Sequence, residues 1–173
     1  MLRAFDESDL EPYAEMYADE DFVRYLGGEK LSPVQAWKNM AVILGHWSLR
    51  GYGIWAVERL DTKELVGRCG LLNIPGWPDV EVCWAFSPKF WGNGYAIETA
   101  KAAVDWAFRQ TEIRRLISLI HPDNKKSEAV AIRLGERFHQ KIFFDEKHIN
   151  VYEILRSQIS EEARASHDPR STI

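Results

Sequence analysis

The chain has 173 residues, 22 basic and 26 acidic side chains and a formal charge of −4, with 46% hydrophobic and 28% charged residues. These values suit one globular domain able to bury about 70% of the surface its extended chain would expose. They exclude a mostly disordered chain, fit two full domains poorly, and argue against nucleic acid or an anionic membrane as the main partner, since both need a basic surface.

The start of the chain, Met1 to Glu7, carries no apolar leader, and the longest apolar stretches, such as residues 40–44, are far too short to span a membrane. Cys69 and Cys83 are too few for a disulfide framework or a zinc site. A cytoplasmic protein without a metal is expected. The aromatic content of 12%, with seven Trp, points to thick core layers or aromatic-walled pockets.

In chain order, residues 2–5 form a short first strand. Ser8 followed by Glu11 reads as a capping box opening a helix that carries Leu10, Tyr13, Ala14 and Tyr17. Ser32, Pro33 and Gln35 make a second helix start, followed by the stripe Ala36, Trp37, Met40, Ile43, Leu44 and Trp47, which Gly51 and Gly53 end. Strands are expected at Ile54–Glu58 and Leu65–Leu72, and a loop at Pro75, Gly76 and Pro78. Residues 80–86 form the next strand, with Val80, Val82, Trp84 and Phe86 on one face and Glu81, Cys83 and Ala85 on the other.

A glycine-rich turn, Phe90-Trp91-Gly92-Asn93-Gly94-Tyr95-Ala96, leads directly into a helix over residues 96–109. A short strand at residues 116–120 breaks at His121-Pro122-Asp123-Asn124, a helix at residues 127–134 stops at Gly135, and residues 138–144 and 151–155 close a hairpin around residues 145–150. The order predicts an α/β fold with one mixed sheet. Residues 1–156 read as a single domain and residues 157–173 as a polar, partly disordered tail.

Asn93-Gly94 alone would signal a hairpin turn, but a helical period follows it rather than a strand. Strand, glycine turn and helix N-terminus in succession form an anion site, where unpaired backbone N–H groups converge and the helix dipole favours negative charge. Tyr95-Ala96 stands where a P-loop needs Lys and Ser or Thr, and Ile97 where a dinucleotide fingerprint needs a third glycine. A pyrophosphate held by backbone alone fits what is left.

With these residues the chain resembles the GNAT N-acetyltransferases, in the branch that includes the ribosomal-protein N-terminal acetyltransferases. Trp91-Gly92-Asn93-Gly94-Tyr95-Ala96 is similar to the family's Arg/Gln-x-x-Gly-x-Gly/Ala loop, with Trp91 replacing the leading Arg or Gln. Asn124 and Ser127 with Leu134-Gly135 match a second signature, and Gly45 to Gly53 looks like a segment of many members. The resemblance spans roughly residues 1–155. It implies a twisted, mostly antiparallel sheet of six to seven strands flanked by about four helices. It also implies acetyl-coenzyme A as co-substrate and a small-molecule or peptide amine as acceptor, in a monomer or homodimer. The pyrophosphate would sit on the amides of Trp91, Gly92, Asn93, Gly94, Tyr95 and Ala96, the pantetheine arm along the strand ending at Phe86 and Ser87, and Asn124 and Ser127 near the thioester. The tyrosine that many relatives place four residues after the serine is Ala131 here.

Amine acetylation needs a neutral amine, a stabilised oxyanion and a departing thiolate. Glu81 is the candidate base; the plainer reading is a carboxylate facing solvent. A backbone N–H near Phe86 or Ser87 would serve the oxyanion. Ser127 would assist the sulfur or cap its helix, or both. His46, Trp47 and Trp84 are candidate acceptor contacts, against surface, capping or core roles. The missing tyrosine also leaves open a coenzyme A binding or sensing module that transfers nothing.

Overall fold

The structure is a computed structural model and describes residues 1–158; most of the expected tail, residues 159–173, lies outside the described residues. The strands are β1 (Leu2–Arg3), β2 (Ile54–Glu58), β3 (Leu65–Leu72), β4 (Glu81–Phe86), β5 (Arg115–Ile120), β6 (Arg137–Phe144) and β7 (Lys147–Leu155). The helices are α1 (Leu10–Ala18), the single turn α2 (Glu20–Val23), α3 (Pro33–Arg50), α4 (Tyr95–Gln110) and α5 (Lys125–Leu134). One seven-stranded sheet runs β1-β2-β3-β4-β5-β7-β6, antiparallel throughout except between β4 and β5, which are parallel.

The two faces of the sheet hold separate cores. On one face Val66, Leu71, Val82 and Phe86 meet Ala100, Ala103, Val104 and Ala107 of α4. On the other, Ile54 and Ala56 meet Tyr13, Tyr17, Met40 and Ile43 from α1 and α3. Arg3 ties β1 to both neighbours, its guanidinium bonding Asp9 at 2.6 and 2.7 Å and Glu58 at 2.7 Å.

Local chemistry explains most element ends. Ser32 accepts from the Gln35 N–H while Gln35 reaches back to the Ser32 N–H, and Gly51 ends α3 in the left-handed conformation. The first helix departs from expectation: the reciprocal cap is Asp6 with Asp9, around a 3-10 turn at Glu7–Asp9, and not Ser8 with Glu11. A bidentate hold on Arg3 fixes Asp9 there, which the Ser-x-x-Glu pattern could not reveal. Along α3 the buried seam is Ala36, Met40, Ile43 and His46, whereas Trp37 and Leu44 are 50% and 41% exposed. Each is one residue from the seam, a rotation of about 100°. The closing hairpin is tighter than residues 145–150, because Asp145 and Glu146 take positive φ and β7 begins at Lys147.

The β2–β3 pair is close-packed at Gly70. A Cβ there would lie 2.3 Å from the Gly53 carbonyl oxygen and 2.6 Å from the Ile54 Cα, so the backbone itself would have to shift. Gly70→Ala should lower unfolding free energy by about 1–3 kcal/mol, read as a lower urea midpoint at unchanged slope. An unchanged midpoint would contradict this packing.

Candidate active site

The sheet opens at its parallel pair. The β4–β5 ladder has one bridge, Glu81 opposite Ile117, where the Ile117 N–H donates to the Val80 carbonyl at 2.9 Å. Beyond it the strands part, and side chains take over from backbone. The Ser118 hydroxyl lies 3.0 Å from the Val82 carbonyl, and the Trp91 indole N–H donates to the Phe86 carbonyl at 2.7 Å. The Ser87 N–H bonds the Val66 carbonyl across β3 at 3.0 Å, so by alternation Trp84 and Phe86 turn their peptide groups into the gap. Ser87 is thus spent on β3, and Phe86 is the donor aimed at the opening.

At the wide end lies the glycine turn. Gly92 and Gly94 have φ of +81° and +83°, and a Cβ at either would meet nothing within 4 Å. The left-handed backbone, rather than crowding, demands glycine. Asn93 braces the turn through the Phe90 carbonyl at 3.0 Å, and the Phe86 and Tyr95 rings stack at 6.2 Å. Gly94 caps α4 with no side-chain hydrogen bond, so the first-turn N–H groups of Tyr95 and Ala96 point out of the helix unanswered by a cap. Lys126, which the sequence reading did not single out, places its ammonium 3.7 Å over the Trp91 ring and adds positive charge beside this turn.

Asn124 caps α5, accepting from the Ser127 N–H at 3.2 Å. Ser127 is therefore not the cap, and among the described residues its hydroxyl has no hydrogen-bond partner. Ala131 is fully buried and packs with Ile120 and Tyr152, with Trp84 against the same cluster. The Tyr152 hydroxyl donates to Glu128 at 2.5 Å and is pushed up to about 12, first by burial and then by that carboxylate. It is a weak acid in this setting.

At the closed end, Glu81 turns its carboxyl inward, accepting from the Trp77 indole at 2.8 Å and the Leu119 N–H at 3.4 Å. Burial pushes it up to about 7, against these two bonds and the charge of Arg68. The plain solvent-facing reading does not describe it. Trp77 packs edge-on against Phe144 of β6, and Tyr25 reaches the Asp123 carbonyl at 3.3 Å, so the β6–β7 hairpin and the segment after α2 rim the same region.

Two expected acceptor contacts are elsewhere engaged. His46 is 6% exposed; its Nδ1 lies 2.8 Å from the Tyr52 carbonyl while Nε2 accepts from the Asn73 N–H at 3.1 Å. Trp47 donates to the Ile54 carbonyl at 2.9 Å and packs edge-on with Trp55 and Trp106. Both hold α3 to the sheet. Trp84 alone of the three lines the gap.

Glu136 was missed because it follows the Leu134-Gly135 stop and reads as a loop carboxylate. It is 3% exposed, 2.9 Å from the Ser118 hydroxyl, and burial pushes it up to about 8. Ser118 has one proton and two neighbouring acceptors, so it donates to Val82 when a protonated Glu136 donates to it. From about pH 4.5 to 8 the unfolded chain has released this proton and the folded chain still holds it. Stability therefore falls as pH rises through that window. Glu136→Gln should flatten the fall and gain more than about 1 kcal/mol at pH 8.5 in urea titrations. Wild-type pH dependence in the variant would contradict it.

A sequence profile for the acetyltransferase (GNAT) domain matches residues 1–137. The Bacillus subtilis (strain 168) protein YkkB is 32% identical over 161 residues, covering 88% of this chain and 90% of its own. The acetyltransferase from Agrobacterium tumefaciens str. C58 superposes with a TM-score of 0.79 at 30% identity, covering 88% of both chains. A spermidine N-acetyltransferase from Vibrio cholerae, solved with CoA and spermine, shares the fold with a TM-score of 0.73 at 19% identity, covering 91% of this chain and 95% of its own. The matched length, the seven-stranded sheet and the glycine turn agree: the chain is an acyltransferase and belongs to the GNAT acetyltransferase family.

Proposed function

We propose that this protein transfers an acetyl group from acetyl-coenzyme A to an amine, both bound at once, and that residues 1–156 suffice as one catalytic domain. The observation that carries the reading is the β4–β5 gap running from Glu81 into an uncapped, left-handed glycine turn. The donor set fits the co-substrate: amides of Gly92 to Ala96 for a pyrophosphate (the expected Trp91 N–H is instead given to the Pro88 carbonyl at 3.2 Å), the Lys126 ammonium beside them, and the edge of Trp84 and Phe86 for an amide-bearing arm. The V. cholerae relative solved with CoA supports the same assignment.

In this reading Glu81 takes the amine proton, directly or through one water, as nitrogen attacks the thioester carbon. The C–N bond forms, the Phe86 N–H faces the developing oxyanion, and the C–S bond breaks with the thiolate leaving. The Ser127 hydroxyl, beside Asn124 at the head of α5, offers it a hydrogen bond. A thiolate leaves without a strong acid, which suits a buried alanine at position 131. Trp84, on the face of β4 opposite Glu81, walls the gap on the side of Ala131 and Tyr152. Orienting the two substrates supplies about 7–11 kcal/mol of the acceleration. Both cysteines are free, as a reducing compartment would keep them, and we read the enzyme as cytoplasmic.

With Glu81 titrating near 7, kcat/KM should rise through that pH as its proton is lost. Glu81→Gln should lower the rate about 100-fold near pH 7.5, with the deficit shrinking as pH approaches the amine's own pKa. A variant whose rate and pH profile match wild type removes Glu81 from the mechanism.

A further inference from the structure

Arg68 of β3 is unlike Arg3 of β1. Arg3 spends its donors on Asp9 and Glu58. Arg68, in the middle of β3, has no acceptor for any of its N–H groups among the described residues, and its Nε is sealed from solvent. A guanidinium nitrogen withdrawn from water without an acceptor is costly, and the partly accessible remainder of the group is free to take one from a ligand. Burial works against its charge; Tyr17, Tyr13, Cys83 and Glu81 around it outweigh that and hold its pKa raised. The Tyr17 ring lies 6.0 Å from it, the phenols of Tyr13 and Tyr17 are turned to Asn39, and neither thiol nor phenol is a carboxylate.

Its place in the sheet is what matters. Arg68 stands directly opposite Ala85, so it shares a face with Ala85, Cys83 and Glu81 of β4. These four positions lie on central strands, where a covering helix would bury them fully, yet each keeps partial exposure. Cys83 and Ala85 pack against the core that holds Tyr13 and Tyr17, and the four positions form a floor left partly accessible beside that core. Glu81 and Ala85 are about 13 Å apart along the strand, and two long side chains shorten that span. Glu81 and Arg68 lie near enough to act on each other electrostatically. One end of the floor thus takes a proton, and the other offers a flat cation with unused donors.

We propose that Arg68 binds the carboxylate of the acceptor, so that the amine acetylated here belongs to an amino acid or short peptide rather than to a polycation. The inference rests on the acetyl-transfer reading above. A planar, forked guanidinium suits a carboxylate in bidentate fashion, and the same unpaired cation repels a polyamine. The V. cholerae relative is named for spermidine, so this would set the present chain apart from it.

The test compares full-length wild type, Arg68→Lys and Arg68→Met. Thermal stabilisation by coenzyme A is measured first, because it reads donor binding and folding without any acceptor. Acetylation is then followed for L-amino acids and dipeptides against their C-terminal amides, with spermidine and phosphoethanolamine alongside. The expected result is a preference of about 10- to 100-fold in kcat/KM for the free carboxylate over its amide in wild type. Arg68→Met should erase that preference, and Arg68→Lys should keep part of it, at an unchanged coenzyme A shift. Equal use of the amides, or better use of spermidine or phosphoethanolamine, overturns the carboxylate assignment and leaves acetyl transfer standing. So does a preference that survives in Arg68→Met, or a coenzyme A shift with no carboxylate acceptor turned over. Absence of any coenzyme A shift in wild type overturns the transfer reading, and this proposal with it. The wild-type comparison alone decides the matter if both variants fail to fold.

Discussion

The single bridge between β4 and β5 governs the rest of the molecule. Parallel strands that paired along their length would seal the centre of the sheet. Here pairing stops after Glu81 and Ile117, and the carbonyl of Val82 is answered by a serine side chain. The gap then widens toward the glycine turn, so a protonatable carboxyl at its apex and helix N-termini at its mouth share one channel. Separating the strands exposes polar backbone, which must find partners. Trp91 and Ser118, the latter held in turn by a buried Glu136, supply some of them from the protein. In the proposed function, a ligand with amide groups of its own would complete the edge.

Charge is arranged around that opening by depth. The two buried carboxyls at the closed end, Glu81 and Glu136, are both pushed toward neutral pH, chiefly by burial. Cations lie farther out, with Lys126 over Trp91 at the mouth and Arg68 on the floor. A group that holds its proton until about pH 7 is near the best compromise for a base acting on an amine. The same burial costs stability, so the Ser118–Glu136 pair and the catalytic candidate draw on one desolvated region.

Much of this was legible in the sequence. β2 and β3 fall at their expected bounds, and the glycine turn opens α4, as the 3.6-residue period after it implies. Capping residues located α3 because Ser32, Pro33 and Gln35 act locally. What sequence could not give is tertiary. Asp6 and Asp9 took the capping roles expected of Ser8 and Glu11, with Asp9 fixed by its bond to Arg3. His46 looked like a site residue because an imidazole among aromatics carries no sign of whose backbone it will meet. Arg68, Glu136 and Lys126 sit in unremarkable sequence; only the register that sets Arg68 opposite Ala85, and the crossing that brings α5 beside Trp91, give them meaning.

The most direct measurement is residue-resolved amide hydrogen exchange with and without coenzyme A. The account predicts strong slowing at the amides of Trp84, Phe86, Tyr95 and Ala96, with little change at Ser87, whose N–H is already bonded to Val66. Slowing confined to other strands, or none at saturating coenzyme A, would contradict the claim that the β4–β5 gap and the glycine turn together hold the donor.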